Sequence, residues 1–523
     1  MSDLSGDMGD QLKVSARGGV VLIIGQAIMT VISAVTVILV NRMLGPSGVG
    51  AITIVMVPVG IGSLFQNWGI TTSLTKYTAQ YRVENREKEL RVMLRTGLIF
   101  NASTGLVISL AIWAASGFIA AFFKFEDPSL LQLLRVASFS IFGQGMVSVV
   151  QAILLGYEKM PLSSTVQVLW SILRGAVSIG LVYLGLGPLG SIIGDASSVI
   201  VVGLLGMILL DRVIHLRDSD SPFFSFQALR MLIIFGFPLF ISSLISGGQS
   251  SLLNSLQILN VSADVLGNYS AASKFGVLLS VITTPLSNVL FPLMSKINRE
   301  DPSLKNIFQS SVKYTTLITL PIAVGLISLA APVIEVIYGN IFPYSTLFLQ
   351  LYLLLYIFSG IGDFNIYNLI VSVGGTRYFF IMSIATLVIS VPLGLYFIPL
   401  YGIFGYFLII ILSPRISNIM SLWWVKKELG FTVDWSSSAR IYVSALVAAA
   451  VTWGCSQLIT LHGWAELIVL GVIFFAVYLF TVILTGALTR EGLKNVRGVA
   501  EESIPFSGII FRLLDILLTI MRK

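Results

Sequence analysis

From Val20 to Val40 the chain carries no charged side chain and few polar ones, and stretches of this kind recur along its whole length. A helix needs about 20 mainly apolar residues to cross the roughly 30 Å hydrocarbon core of a bilayer, because each residue rises about 1.5 Å. Of 523 residues, 56% are hydrophobic and only 11% charged, so the bilayer is the solvent this sequence is written for. Membrane barrels alternate apolar and polar residues along each strand, whereas these runs are apolar on every face. The composition therefore predicts an all-α integral membrane protein.

Apolar runs bounded by charge, proline and glycine give fourteen expected spans. They cover residues 18–41, 50–73, 96–119, 133–156, 162–185, 189–210, 229–256, 266–293, 307–331, 346–371, 378–399, 401–424, 441–461 and 464–486. Grouped, these give a six-helix bundle over 1–210, a linker over 211–228, a second six-helix bundle over 229–425, two additional helices over 441–486 and a tail over 487–523. In the tail, Arg512, Asp515, Thr519 and Arg522 share one helical face, the pattern of an amphipathic helix lying on a membrane surface.

Lys and Arg concentrate in one set of connections: Lys76 to Arg95, Lys159, Arg212 and Arg217, Lys296 to Lys305, Arg377, and Lys426 to Arg440. The opposite set holds essentially Arg42 and Lys124. The positive-inside rule then places both termini in the cytoplasm of a multi-pass inner-membrane protein. The same asymmetry accounts for the net charge of +7, which therefore carries no argument for nucleic-acid binding. The single cysteine, Cys455, builds neither a disulfide framework nor a thiolate metal site. The polar start, Met1 to Arg17, followed by a long apolar run, reads as a retained first span rather than a cleaved signal.

A faint repeat runs through the chain. Leu44-Gly45-Pro46-Ser47-Gly48-Val49-Gly50 opens the second span, and Val261 to Tyr269, containing Leu266-Gly267, opens the eighth. The spans around Pro188-Leu189-Gly190 resemble those around Leu400-Tyr401-Gly402. Two halves of like orientation, related by an axis along the membrane normal, form a transporter architecture.

A cation at the centre of a span costs at least about 2.5 kcal/mol if it faces lipid, so such residues face protein or a wet cavity. Arg174, Arg415 and Lys274 lie well inside expected spans, and Arg135 and Arg42 nearer the expected outer surface, to which both can snorkel, the favoured reading for Arg42. The acids within spans are chiefly Asp195 and Asp363. One reading gives a cationic cavity for an anionic ligand, held by Arg174, Lys274 and Arg415, with Arg135 near the exit. The other pairs Arg174 with Asp195 across a short turn and Arg415 with Asp363, as structural ion pairs. Asp363 and Asp195 are thus candidates for ion coupling or ion pairing. Gln144, Gln249 and Asn254 are candidate cavity residues, a pattern that helix-to-helix hydrogen bonding explains equally well.

Enzymatic readings fare poorly. The two histidines, His215 and His462, both lie outside the expected spans, so an intramembrane histidine site has no material. Asp218-Ser219-Asp220 lies in a short linker with no nucleotide-binding domain around it, and there is no Gly-x-x-x-x-Gly-Lys-[Ser/Thr] loop for ATP. The reading calls for no cofactor and no metal.

Asn41-Arg42-Met43-Leu44-Gly45-Pro46-Ser47-Gly48-Val49-Gly50, followed by Gly69 to Tyr77, resembles the opening of the polysaccharide-transport (Wzx-type) flippases. Gly236-Phe237-Pro238-Leu239-Phe240, Gly267 to Ala272 and Leu290 to Ser295 resemble the opening of that family's second half. The family belongs to the multidrug/oligosaccharidyl-lipid/polysaccharide exporter superfamily. The resemblance implies movement of a polyprenyl- or dolichyl-(pyro)phosphate-linked oligosaccharide to the outer leaflet by alternating access, with that substrate and membrane lipids as partners. Its head group matches the cation excess read above. The sequence departs from the family at Asn254, where an Asp is frequent, so no ion-coupling role is carried to that position. An ion-coupled drug exporter of the same superfamily is the nearest alternative, and a membrane-embedded polymerase or ligase the next.

Overall fold

A computed structural model describes residues 2–125, 127–216, 222–458 and 461–488. Among them no strand occurs, and ten helices are long and apolar enough to cross a membrane, eleven if a bent pair is counted as one span. Two of the ten are composite. Ile24–Leu64 contains two helices joined at Gly45, whose φ of 67° suits glycine alone at so sharp a break. Met160–Ile214 joins Met160–Leu181 to Gly187–Ile214 through a short π-helical turn with Gly185 at φ 90°. The amphipathic tail expected over 505–523 lies outside the described residues.

Packing divides the chain into two compact units, Met1–Ala271 with Ser390–Tyr406, and Ala272–Ile389 with Phe407–Lys523. The boundary falls at 271 rather than in the 211–228 linker, because Phe226–Asn260 packs against Ile24–Leu64, Ile70–Val83 and Glu87–Ala114. In the first unit Ser129–Gly156 is the central helix. It lies against Glu87–Ala114 and Gly187–Ile214, and 67% of its apolar window is buried. Two glycines on it make room for neighbours, Gly143 for the backbone at Val199 and Ile200 and Gly145 for the side chains of Gln66 and Asn101. In the second unit Pro302–Ser328 lies against Trp435–Leu458, with Leu320, Ala445, Ala448 and Phe474 in the core between them and the final described helix, Trp464–Leu484.

Large apolar side chains cover the outer faces: Val31 is 63% exposed, Val107 64%, Leu446 61% and Val472 64%. A soluble protein with so much apolar surface would aggregate, whereas in a bilayer these faces meet hydrocarbon.

Several expected spans are interrupted. The second stops at Leu64, turns through Trp68 and Gly69, both at positive φ, and resumes as Ile70–Val83. The eighth breaks at Lys274 and Phe275, between Ala263–Ser273 and Gly276–Ser295. The tenth breaks after Ile361, and its two parts, Ser345–Ile361 and Ile366–Ser372, meet at 47°. Each break carries polar residues, Gln66 and Asn67, Ser273 and Lys274, Asp363 and Asn365, but they are too few to end an apolar window of about 20 residues, so hydropathy runs through them.

Candidate functional site

In the first unit Arg174, on Met160–Leu181, places its Nε 2.8 Å from Asp195 Oδ1 on Gly187–Ile214. The short turn between the two helices brings the residues level. Asp195 is almost enclosed, its side chain 12% exposed, while the arginine side chain keeps 34% exposure. Among the described residues the terminal nitrogens of Arg174, Nη1 and Nη2, make no hydrogen bond. The pair therefore fixes one edge of the guanidinium and leaves the fork that matches phosphate oxygens available.

The second unit holds a tighter cluster. Asp363 sits in the break between Ser345–Ile361 and Ile366–Ser372, just after Gly362 at φ 87°. It accepts hydrogen bonds from Arg415 Nη2, at 2.9 Å, and from Asn418 Nδ2. The Arg415 guanidinium also stacks 4.1 Å from the centroid of the Phe358 ring. Its Nε and Nη1 are buried and have no hydrogen-bond partner among the described residues.

A helix break strands backbone carbonyls, which in a membrane need internal donors. Trp435–Leu458 supplies two: the Ser438 hydroxyl donates to Gly360 O at 2.8 Å, and the Tyr442 hydroxyl to Ile357 O. Beyond the break, buried Asn365 donates to Thr315 Oγ1 at 3.2 Å. The next-to-last described helix is thus part of the scaffold around Asp363.

The other candidates fall elsewhere. Lys274 is exposed in the break between Ala263–Ser273 and Gly276–Ser295, and it has an interaction partner. Arg135 donates from Nε to the Ser116 hydroxyl at 2.9 Å and faces the Trp113 ring. Gln249 donates to Ser390 Oγ at 2.9 Å, and Asn254 accepts from the Tyr406 hydroxyl at 2.9 Å, so both join helices of the first unit. Gln144 is exposed.

Sequence reasoning missed other polar residues. Gln66 is buried and donates to Ile141 O at 2.6 Å, and Asn101 is buried with neither side-chain atom hydrogen-bonded among the described residues. Half-buried Lys313 interacts electrostatically with Asp434 and Arg440. Asp434 caps Trp435–Leu458, accepting from the Ser436 and Ser437 backbone, and the Ser437 hydroxyl, these amides and Lys313 hold its carboxyl below the usual carboxylate range. Its signal was the Asp-x-Ser-Ser-Ser start of an apolar run.

The glycines quoted for the family resemblance have a shared physical role. A methyl group at Gly50 would lie 1.8 Å from Ala263 O, and one at Gly267 would lie 1.9 Å from Pro46 O. Each glycine thus meets the residue four positions before the other, a reciprocal contact of the kind a two-fold axis produces. A methyl at Gly69 would lie 2.2 Å from Gly236 O, and one at Gly236 would lie 2.7 Å from Trp68 O. Beside this second crossing Ser73 donates to Leu232 O at 2.8 Å, Trp68 stacks on Phe240, and Lys76 lies 3.9 Å over Phe235. At both crossings the approach is close enough that an added methyl would strike backbone.

Residues 39–345, more than half of the chain, match the model of one family, described as polysaccharide biosynthesis protein. The chain belongs to that family. The match to this polysaccharide biosynthesis family takes in all four crossing glycines and both Arg174 and Asp195. A relative, probable flippase AglR of Haloferax volcanii, is 23% identical over 248 residues, which are 47% of this chain and 49% of AglR. The chain thus spans about half the length of the curated relative it matches.

Among solved structures, the lipid II flippase MurJ in an inward closed conformation has a TM-score of 0.72 at 18% identity, covering 89% of this chain and 98% of MurJ. An inward-facing multidrug resistance MATE family transporter of the MOP superfamily has a TM-score of 0.63 at 18% identity, covering 78% and 98%. At these identities the likeness is one of fold, and this member of the polysaccharide biosynthesis family shares the fold of both transporters.

Proposed function

We propose that the chain is a flippase that carries a polyprenyl- or dolichyl-(pyro)phosphate-linked oligosaccharide from the cytoplasmic to the outer leaflet by alternating access, for cell-surface glycan assembly. The observation that carries this reading is Arg174, a cation deep in an apolar span, anchored at Nε by Asp195, its side chain 34% exposed and its terminal nitrogens without a hydrogen bond among the described residues. A guanidinium fork in a low-dielectric setting suits a phosphate head group better than a cationic drug. Family membership and the flippases among the relatives support the same choice.

In this reading Arg174, Lys274 and Arg415 contact the head group in turn, and Asp195 and Asp363 hold the arginines when no substrate is present. Substrate phosphate and protein carboxylate then compete for the same cation, so the empty carrier never leaves a buried charge unpaired. Two six-span repeats, 1–210 and 229–425, supply the alternating access, and of the helices added after them Trp435–Leu458 braces the break at Asp363. With both termini cytoplasmic and the cytoplasm negative, outward movement of an anionic head group is favoured by about 2.3 kcal/mol per charge per 100 mV.

The test is translocation in proteoliposomes of a lipid-pyrophosphate oligosaccharide, a zwitterionic phospholipid and a cationic dye. The proposal expects movement of the first alone. Dye movement without lipid movement would overturn it in favour of a small-molecule exporter.

A further inference from the structure

On the first unit, three helices line a groove of about 260 Å³, formed by Trp113, Arg135, Val136, Phe139, Ile193 and Ile200 together with the small residues Ala196 and Ser197. This groove is separate from the Arg174–Asp195 pair. At about 100° per residue, Asp195 points roughly 200° away from Ile193 around Gly187–Ile214, so the pair and the groove occupy opposite faces of that helix.

Arg135 is built into the groove. Its Nε donates to the Ser116 hydroxyl at 2.9 Å, and its guanidinium carbon lies 5.6 Å from the centroid of the Trp113 ring. These contacts fix the plane of the side chain. Among the described residues no carboxylate pairs with Arg135, and Nη1 and Nη2 make no hydrogen bond. A cation on an apolar face, oriented but not neutralised, needs an anion from its surroundings.

Those surroundings are hydrocarbon. Two of the helices that line the groove carry exposed apolar side chains within three turns of its lining residues: Val107 at 64%, Leu110 at 46%, Leu204 at 49% and Leu205 at 46%. A molecule reaching Arg135 from this side travels within the bilayer. A volume near 260 Å³ is below the roughly 300–1,000 Å³ of a small-molecule pocket. It admits a segment of one hydrocarbon chain and excludes an oligosaccharide, for which the lining also offers too few polar partners. A zwitterionic head group would bring an ammonium, and the groove supplies no acid to meet it.

We propose that this groove is a binding site for an anionic phospholipid, with the phosphate on Nη1 and Nη2 of Arg135 and one acyl chain against Phe139, Ile193 and Ile200. The assignment is independent of the flippase reading. It makes Arg135 a lipid-binding residue on the bilayer-facing surface rather than part of the Arg174 site.

The experiment places the full chain in phosphatidylcholine nanodiscs containing a minority of brominated phosphatidylglycerol or brominated phosphatidylcholine. Quenching specific to Trp113 is the difference between wild type and Trp113→Phe. The expected result is about fivefold tighter apparent binding of the anionic lipid, the preference of one basic side chain near a lipid phosphate. Arg135→Gln abolishes that preference, and Arg135→Lys keeps it. Equal quenching by both lipids in the wild type overturns the proposal, as does a preference that survives Arg135→Gln. Loss of the preference in both variants assigns the effect to packing on Trp113 and overturns the phosphate contact.

Discussion

The Tyr442 hydroxyl donates to the carbonyl oxygen of Ile357, so a side chain near the start of Trp435–Leu458 closes a backbone gap beside the helix break that carries Asp363. Removing that hydroxyl deletes the hydrogen bond, at a cost of about 0.5–1.5 kcal/mol. Tyr442→Phe, which keeps the ring against Gly360, is expected to lower the thermal unfolding temperature in detergent, and Ser438→Ala to do the same by losing the bond to Gly360 O. Wild-type melting in both variants would remove the bracing role from this helix.

The glycine crossings predict opposite signs for one chemical change. Gly50→Ala and Gly69→Ala drive a methyl into backbone atoms, which side-chain motion does not relieve, and are expected to destabilise by about 1–3 kcal/mol. Gly60, in the same helix as Gly50, has nothing within 4 Å of an added methyl. Gly60→Ala is therefore expected to be neutral or to stabilise by up to about 1 kcal/mol through helix propensity. Parallel melting curves of the three variants decide the point.

Breaking a buried ion pair from one side costs more than replacing it. Asp363→Ala strands the Arg415 guanidinium, whose other buried nitrogens already lack described partners, and is expected to cost about 3–5 kcal/mol. The double variant Asp363→Leu, Arg415→Met is expected to recover most of that stability while losing transport. Recovery of transport along with stability would show the pair to be structural only.

Much of this was legible in the sequence, for stated physical reasons. Charges inside apolar spans must be neutralised, so Arg174 and Arg415 pointed to Asp195 and Asp363, the chief acids of the spans. Hydropathy placed the helices but missed the breaks at Lys274 and Gly362, because one or two polar residues in each, Lys274 or Asp363 and Asn365, are averaged away over a window of about 20 apolar ones. The donors that make the break tolerable, Ser438 and Tyr442, lie far along the chain. Gln249 and Asn254 were read as candidate cavity residues with helix bonding as the rival, and their partners, Ser390 and Tyr406, lie more than a hundred positions away. The motif glycines stood out by pattern, while their reciprocal contact required the backbone.

Asp434 gives the pH dependence. Its carboxyl titrates below the unfolded value of about 3.9, held down first by the Ser437 hydroxyl bond. A depressed pKa adds stability that is present above about pH 3.9 and is lost as pH falls through the folded value. Wild type is therefore expected to melt above Asp434→Ala at neutral pH, by the roughly 1 kcal/mol of a helix cap, with the gap narrowing below about pH 4. A gap constant down to acid pH would contradict the charge contribution.

The central claim is that the Arg174 guanidinium fork, within the membrane and without a hydrogen bond among the described residues, carries the head group. The most direct measurement is translocation of a lipid-pyrophosphate oligosaccharide in proteoliposomes by wild type, Arg174→Gln and Arg174→Lys, each with a matched melting curve. The account predicts at least about a tenfold loss for Arg174→Gln, the worth of one charge-assisted hydrogen bond, and a smaller loss for Arg174→Lys, which keeps the charge without the fork. Wild-type transport by folded Arg174→Gln would contradict it.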